Sequence, residues 1–330
     1  MKVLLTGATG FIGSHVARRL AADGHEVHAV IRPGSRTWRL ADVLERLRVE
    51  TADALNRVAV EEAVRRVKPE CCVHLAWCAE PGVYLTSREN VSWMDATLRL
   101  AASLADAGCR RFVGAGTCFE YDLNARGFSE STATAPRSLY AACKLGTWLP
   151  LEQLGKLTGM SVAWARFFYQ YGPGEDPRRL VASVIRALAA GQPARITEGA
   201  QVRDFLHVAD VASAVAAVAA GRINGPVNVG SGEPVTVRDI VGRIGRIMGR
   251  SELIAFGALP YGPGDPMHIC ADNALLVSQT GWRPAFGLEE GLRQTVAWWQ
   301  EHLARPEPGR TPGGVRHFLR HPDGGSVVPA

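Results

Sequence analysis

Short apolar runs alternate along this chain with longer stretches whose apolar residues recur every three or four positions. The runs are K-V-L-L-T (2–6), E-V-H-A-V-I (26–31), C-C-V-H-L-A (71–76), R-F-V-G-A-G (111–116) and S-V-A-W-A-R (161–166). Apolarity that is nearly continuous over so few residues predicts strands buried on both faces. Stretches such as H-V-A-R-R-L-A-A and N-V-S-W-M-D-A-T-L-R-L-A-A-S-L-A lie between them with helical period. The alternation predicts an α/β fold, a Rossmann-type doubly wound parallel sheet with helices on both faces.

Past residue 172, Gly and Pro punctuate the chain more often, as in Y-G-P-G, G-S-G-E-P and L-P-Y-G-P-G-D-P. This half is expected to build a smaller C-terminal α/β lobe over the C-terminal edge of the sheet. The division is therefore 1–171 for the dinucleotide-binding domain and 172–303 mainly for a substrate-binding lobe, with some segments returning to the sheet. Residues 304–330 are rich in Pro, Gly and Arg without period and read as a flexible tail.

Composition narrows the class. A chain of 330 residues with 47% hydrophobic residues can fill a large core. Its net charge of +5 comes from scattered basic residues, which read as solvated helix faces and argue against nucleic-acid binding. Seven Cys, with no C-x-x-C pair, give no zinc spacing and no metal site. Their odd number and the absence of a secretory signal argue for reduced thiols in a cytoplasm. No apolar run is long enough to span a membrane, so no membrane partner is expected.

Directly after the first run stands T-G-A-T-G-F-I-G (6–13), leading into a helical stretch. Gly7, Gly10 and Gly13 in that setting permit a tight turn, close approach of backbone N–H groups to a pyrophosphate, and close helix–strand packing. Thr9, Phe11 and Ile12 share the turn. The G-x-x-G-x-x-G spacing, together with Y-x-x-x-K at Tyr140 and Lys144, resembles the extended short-chain dehydrogenase/reductase superfamily, in its epimerase/dehydratase branch acting on nucleotide-sugars. The resemblance runs over roughly residues 2–300. It implies contact of the cofactor with Asp53 and with the strand His74, Leu75 and Ala76. At the end of the second run, V-I-R-P-G-S-R offers Arg32 and Arg36 and no acid for a ribose 2′-hydroxyl, which favours NADP(H) over NAD.

Six Tyr and four Lys in the chain make a Tyr–Lys pair at four-residue spacing weak by itself. Beside a cofactor it gains meaning, because residues i and i+4 share one helix face. A nearby ammonium is expected to lower the tyrosine pKa towards working pH. The resemblance implies that Lys144 also holds ribose hydroxyls and that Thr117, in A-G-T-C-F-E-Y, hydrogen-bonds the reacting oxygen. The related 4,6-dehydratases carry Asp-Glu directly after this Thr. Here Cys118 and Phe119 stand there, against the substrate, with Glu120 as a conceivable shifted acid.

On the substrate side, R-D-F-L-H-V-A-D implies Arg203 as a phosphate contact, with His207 and Asp210 structural. Tyr169 replaces an Asn common in the branch, and Gly262 stands where a second phosphate-binding Arg is usual. Arg178 or Arg179 is the compensating candidate. Downstream segments resemble most the CDP-paratose and CDP-abequose synthases, NADPH-dependent reductases of 4-keto-6-deoxyhexose nucleotides. The sequence is therefore read as an NADPH-dependent 4-ketoreductase of an NDP-4-keto-6-deoxyhexose. The alternative is a nucleotide-sugar 4-epimerase with tightly bound NAD, followed by a 4,6-dehydratase or a non-catalytic dinucleotide-binding protein. Relatives imply a homodimer, for which Leu145, Trp148, Leu149 and Leu151 offer an apolar face, one that burial in the core explains almost as well.

Overall fold

Seven parallel strands run through the middle of the protein, whose computed structural model describes residues 1–125 and 127–305. In chain order the first half runs β1 (Lys2–Thr6), α1 (Phe11–Ala22), β2 (Glu26–Ile31), β3 (Arg48–Thr51), α2 (Arg57–Val67) and β4 (Cys71–His74). It continues with α3 (Glu89–Asp106), β5 (Arg111–Thr117), α4 (Leu139–Thr158), β6 (Ser161–Phe167) and β7 (Tyr169–Tyr171). The second half runs α5 (Leu180–Ala189), β8 (Ala194–Arg195), β9 (Val202–His207), α6 (Val208–Ala220), β10 (Gly225–Val229), β11 (Pro234–Thr236) and α7 (Val237–Met248). β12 (Ile254–Ala255), β13 (His268–Ile269), α8 (Ala274–Thr280) and α9 (Leu288–Ala304) complete it.

The large sheet has the order β10-β6-β5-β4-β1-β2-β3, all parallel. Strand order reverses between β1 and β4, which leaves a crevice at their C-terminal ends. Side chains of β1 alternate between two cores. Val3 and Leu5 pack with Val16 and Leu20 of α1 and Val215 of α6, whereas Leu4 packs with Val64, Leu100, Leu104 and Leu151 on the other face. The doubly wound α/β expectation therefore holds, with β10 supplied by the second half of the chain. β4 is shorter than its apolar run: after His74, Leu75 N–H donates to the Thr6 carbonyl at 3.2 Å and Ala76 N–H to Thr6 Oγ1 at 3.3 Å, so the chain leaves the sheet there.

The smaller lobe joins β7, β9, β11 and β13 in one sheet and β8 with β12 in another. α5, α7 and α9 cover it around Val181, Ile185, Ile240, Ile244, Leu292 and Trp299. The expected tail lies outside the described residues from residue 306 on. Among the described residues no helix is long and apolar enough to cross a membrane. The proposed apolar face of α4 does not exist as one face. Trp148 and Leu151 belong to the core behind the sheet, Leu145 packs against it, and only Leu149 is open, at 54% exposure. The helix must bury a wide stripe to cover β5 and β6, and that stripe takes these residues.

Candidate active site

At the β1–α1 turn the glycines have separate jobs. Gly7 has φ +75°, and a Cβ there would sit 2.7 Å from the Ala76 backbone N, so the turn and β4 approach too closely for any side chain. Gly10 N–H donates to the Gly7 carbonyl at 3.0 Å, tightening the turn just before α1. Gly13 rests on that same carbonyl, where a Cβ would collide. The N-terminus of α1 is thereby left open towards the crevice, a ready site for a pyrophosphate. Gly7, Gly10, Phe11, Ile12, Gly13 and Leu75 line one end of a cavity of about 310 Å³. Thr9 is not among the lining residues; its carbonyl accepts from Arg39 Nη1 at 3.5 Å.

Beneath the turn, His74 is buried between Thr6 and Thr97, with Nδ1 2.7 Å from Thr6 Oγ1 and Nε2 2.9 Å from Thr97 Oγ1. Burial pushes its pKa down to about 3, so it is a neutral strut between β1, β4 and α3. Arg32 and Arg36 are exposed on the turn after β2, and Asp53 follows β3 with Oδ1 accepting from Leu55 N–H at 3.0 Å. None of these three lines the cavity.

The other end of the cavity collects the second group of sequence candidates. Ser138 caps α4 by accepting from Ala141 N–H at 3.2 Å, and the next turns carry Tyr140 and Lys144. Thr117, the last residue of β5, completes the set, and all three line the cavity. The Thr117 hydroxyl, which accepts from Phe119 N–H at 3.3 Å, is the one side chain among the main influences on the Tyr140 hydroxyl that favours its ionised form. Lys144 Nζ donates to the Ala115 carbonyl at 2.7 Å and lies 3.7 Å from the Trp77 ring centre. Tyr84 meets the Tyr140 ring edge-on at 4.9 Å.

The electrostatics differ from the sequence expectation. Burial raises the Tyr140 pKa, Tyr84 adds to the rise, and Thr117 opposes it. Burial also lowers Lys144 to about 7, with Glu120 opposing. The ammonium does not act on Tyr140 as expected because it is held by the Ala115 carbonyl and the Trp77 face. Desolvation therefore dominates at both groups.

Glu120 is no shifted acid. It is fully buried, accepting from Thr117 N–H at 2.8 Å, Trp164 Nε1 at 3.0 Å and Arg166 Nε at 2.8 Å, and it does not line the cavity. It fixes the end of β5 against β6.

Cys118, Phe119, Tyr169 and Arg179 do line the cavity. Arg203 does not. It is fully buried and ion-paired to Asp265 at 2.7 Å, donates to the Pro266 carbonyl at 2.7 Å, and lies 5.4 Å from the Tyr169 ring centre. Its guanidinium is paired with Asp265, three residues after Gly262, and stands behind Tyr169 rather than on the cavity lining. Arg178 is likewise engaged, by Asp176 at 2.9 Å and Glu80 at 3.1 Å, whereas Arg179 reaches the Ala79 carbonyl at 3.3 Å and lies over Tyr84. His207 caps α6 through Ala209 N–H, and Asp210 accepts from Ala285 and Phe286 N–H groups, so both serve the scaffold. Sequence reasoning missed Trp77, Tyr84 and Glu175, which line the cavity without a motif of their own. Trp77 alone had a signal, as the residue directly after the H-L-A strand end.

A glycine-lined helix N-terminus at the switch point of a parallel sheet, facing a Thr–Tyr–Lys set, defines an NAD(P)-dependent enzyme of the extended short-chain dehydrogenase/reductase type. More narrowly, the chain belongs to the NAD dependent epimerase/dehydratase family, whose profile matches residues 3–230. A probable UDP-glucuronate 4-epimerase of Rhizobium meliloti (strain 1021) is 28% identical over 343 aligned positions, covering 92% of this chain and 98% of that one. The UDP-glucose 4-epimerase of Thermotoga maritima, solved with UDP-glucose, matches with a TM-score of 0.84 at 26% identity, over 92% of this chain and 100% of that one. That of Thermus thermophilus, solved with NAD, gives 0.80 at 28% identity over 91% and 99%. These relatives overturn the reading as a 4-ketoreductase akin to CDP-paratose and CDP-abequose synthases: over nearly the whole chain the likeness is to 4-epimerases.

Proposed function

We propose that this protein is a nucleotide-sugar 4-epimerase that keeps its dinucleotide bound. The observation that carries the reading is one continuous cavity joining the glycine turn to Thr117, Tyr140 and Lys144, in a chain similar along its length to 4-epimerases. The residues fit the cofactor, since the cradle at Gly7 and Gly13 is where a Cβ would collide. Gly7, Gly10, Phe11, Ile12 and Gly13 would hold the pyrophosphate, Leu75 and Ala76 would lie beneath it, and Lys144 would meet the nicotinamide ribose. When bound, the nicotinamide supplies a reversible hydride acceptor for C4 of the sugar.

Tyr140 in its ionised form takes the proton of the C4 hydroxyl, becoming the neutral phenol, and later returns that proton to the C4 oxygen. The positive charge of the oxidised nicotinamide would favour the phenolate that burial alone disfavours. Thr117 donates to that oxygen. Cys118, Phe119, Tyr169 and Arg179 surround the hexose and its diphosphate. Turnover needs the keto sugar to present its opposite face before reduction, so no dinucleotide is consumed. Arg32 and Arg36, with no acid between Val27 and Ala41, support the phosphorylated dinucleotide.

The test is incubation with UDP-glucose, UDP-N-acetylglucosamine and UDP-glucuronate, each without added dinucleotide and followed by proton NMR. Inversion at C4 with one of them is expected, and deuterium placed at C4 stays there, because hydride returns to the carbon it left. Release of carbon dioxide from UDP-glucuronate with no inversion of any sugar would reject the epimerase in favour of a decarboxylase.

A further inference from the structure

Between β7 and α5 the chain reads G-P-G-E-D-P (172–177), and its one deeply buried acid is unlike the other carboxylates near the site. Glu175 is 5% exposed and lines the cavity, and its Oε2 has no hydrogen-bond partner among the described residues. The carboxyl group stands at the first turn of α5, where the Ala182 N–H favours its charged form. Asp176, next in the chain, is engaged by Arg178, which also reaches Glu80 across the rim. Arg179 lines the cavity beside Glu175, and Tyr84, Tyr140 and Lys144 line it further along.

A buried oxygen without a partner is costly and uncommon. The surroundings say what Oε2 meets. The N-terminus of α5 and Arg179 attract an anion. An ionised carboxylate there would compete with that anion, whereas a neutral carboxyl donates to it. Burial pushes Glu175 up to about 8, with Arg179 opposing and Asp176 adding to the rise, so the group is mostly neutral at pH 7.

We propose that Glu175 is a positioning residue of the ligand cavity, its neutral carboxyl donating a hydrogen bond from Oε2 to a diphosphate oxygen of the bound nucleotide. The inference rests on the nucleotide-sugar reading for its ligands and adds a residue to it. Two ligands carry this diphosphate chemistry, the dinucleotide and the nucleotide-sugar.

The experiment is calorimetric titration, at pH 7.0, 8.0 and 9.5, of UDP-glucose into the purified protein with its dinucleotide bound and, separately, of NAD⁺ into protein freed of that dinucleotide, for wild type, Glu175→Gln and Glu175→Ala. Neither ligand's diphosphate titrates in this range. One ligand is expected to bind wild type about tenfold more weakly at pH 9.5 than at pH 7.0, as the donor is lost and a like charge appears. Glu175→Gln lacks that loss, so its affinity falls less between pH 7.0 and 9.5 than that of wild type, and the ligand that shows the difference is the diphosphate source. Glu175→Ala binds that ligand weakly at every pH, which preserves the test if the Gln variant does not fold. Pairs of wild-type and variant curves with the same pH dependence for both ligands would overturn the proposal and assign any slope to Lys144 or Tyr140. Because binding is read without turnover, absence of C4 inversion would defeat the epimerase reading while leaving this result intact.

Discussion

Lys144 shows how one residue can be tuned at the expense of the fold. Burial draws its pKa down to about 7 from the 10.5 of an exposed lysine, so between those values the unfolded chain binds a proton the folded chain lacks. Stability therefore rises with pH across the window from about 7 to 10.5 on this account. Lys144→Met removes the penalty: the variant is expected to melt higher than wild type at pH 7, with a margin that shrinks at pH 10, and to lose epimerisation. Tyr140→Phe isolates the chemistry. Its kcat should fall by about 10² to 10⁴ while bound dinucleotide, measured after acid release, stays at the wild-type level.

Among the elements, the β1–α1 turn and the end of β5 are where packing fixes chemistry. Gly13→Ala would drive a methyl group into the Gly7 carbonyl and push α1 away from the crevice. Purified protein should then carry little or no dinucleotide, while its far-ultraviolet circular dichroism remains close to wild type. At β5, Glu120 holds Arg166 with both side chains buried, and its second hydrogen-bonding partnership orients Thr117. Glu120→Ala strands a buried guanidinium and should cost about 3–5 kcal/mol in urea denaturation, since losing one partner of a buried pair leaves a charge uncompensated. The motif A-G-T-C-F-E-Y thus contains an acid of the right type for catalysis that structure assigns to support.

The whole molecule brings two halves of the chain around one cavity. β10 returns from the second half to extend the large sheet, and His15 of α1 lies 2.9 Å from the Pro173 carbonyl on the path to α5, so the second half is tied to both β6 and α1. Burial pushes His15 down to about 4, so it stays neutral across the physiological range. At this scale cofactor choice can be tested through the surface of the β2 turn. Replacement of Arg32 and Arg36 by Ala should lower the NADP⁺ to NAD⁺ ratio of released cofactor, measured with enzymes specific for each, while C4 inversion persists in the fraction that holds NAD.

The buried strands, the glycine turn and the Tyr140–Lys144 pair were legible in the sequence itself, because each depends on local periodicity or on residues a helical turn apart, whereas Thr117 was implied by the family resemblance. Reaction type was not: Cys118 and Phe119 after Thr117 argued against dehydration, but a reductase and an epimerase share the same triad. Only tertiary structure decided that Glu120 points into an ion pair behind β5, that Arg203 is satisfied by Asp265 sixty-two residues away, and that Trp77 rather than Tyr140 meets the Lys144 ammonium. It also showed that Trp148 and Leu151 are core rather than surface. Those assignments depend on which distant groups share a desolvated space, and charge pairing and pKa follow from that space rather than from spacing along the chain.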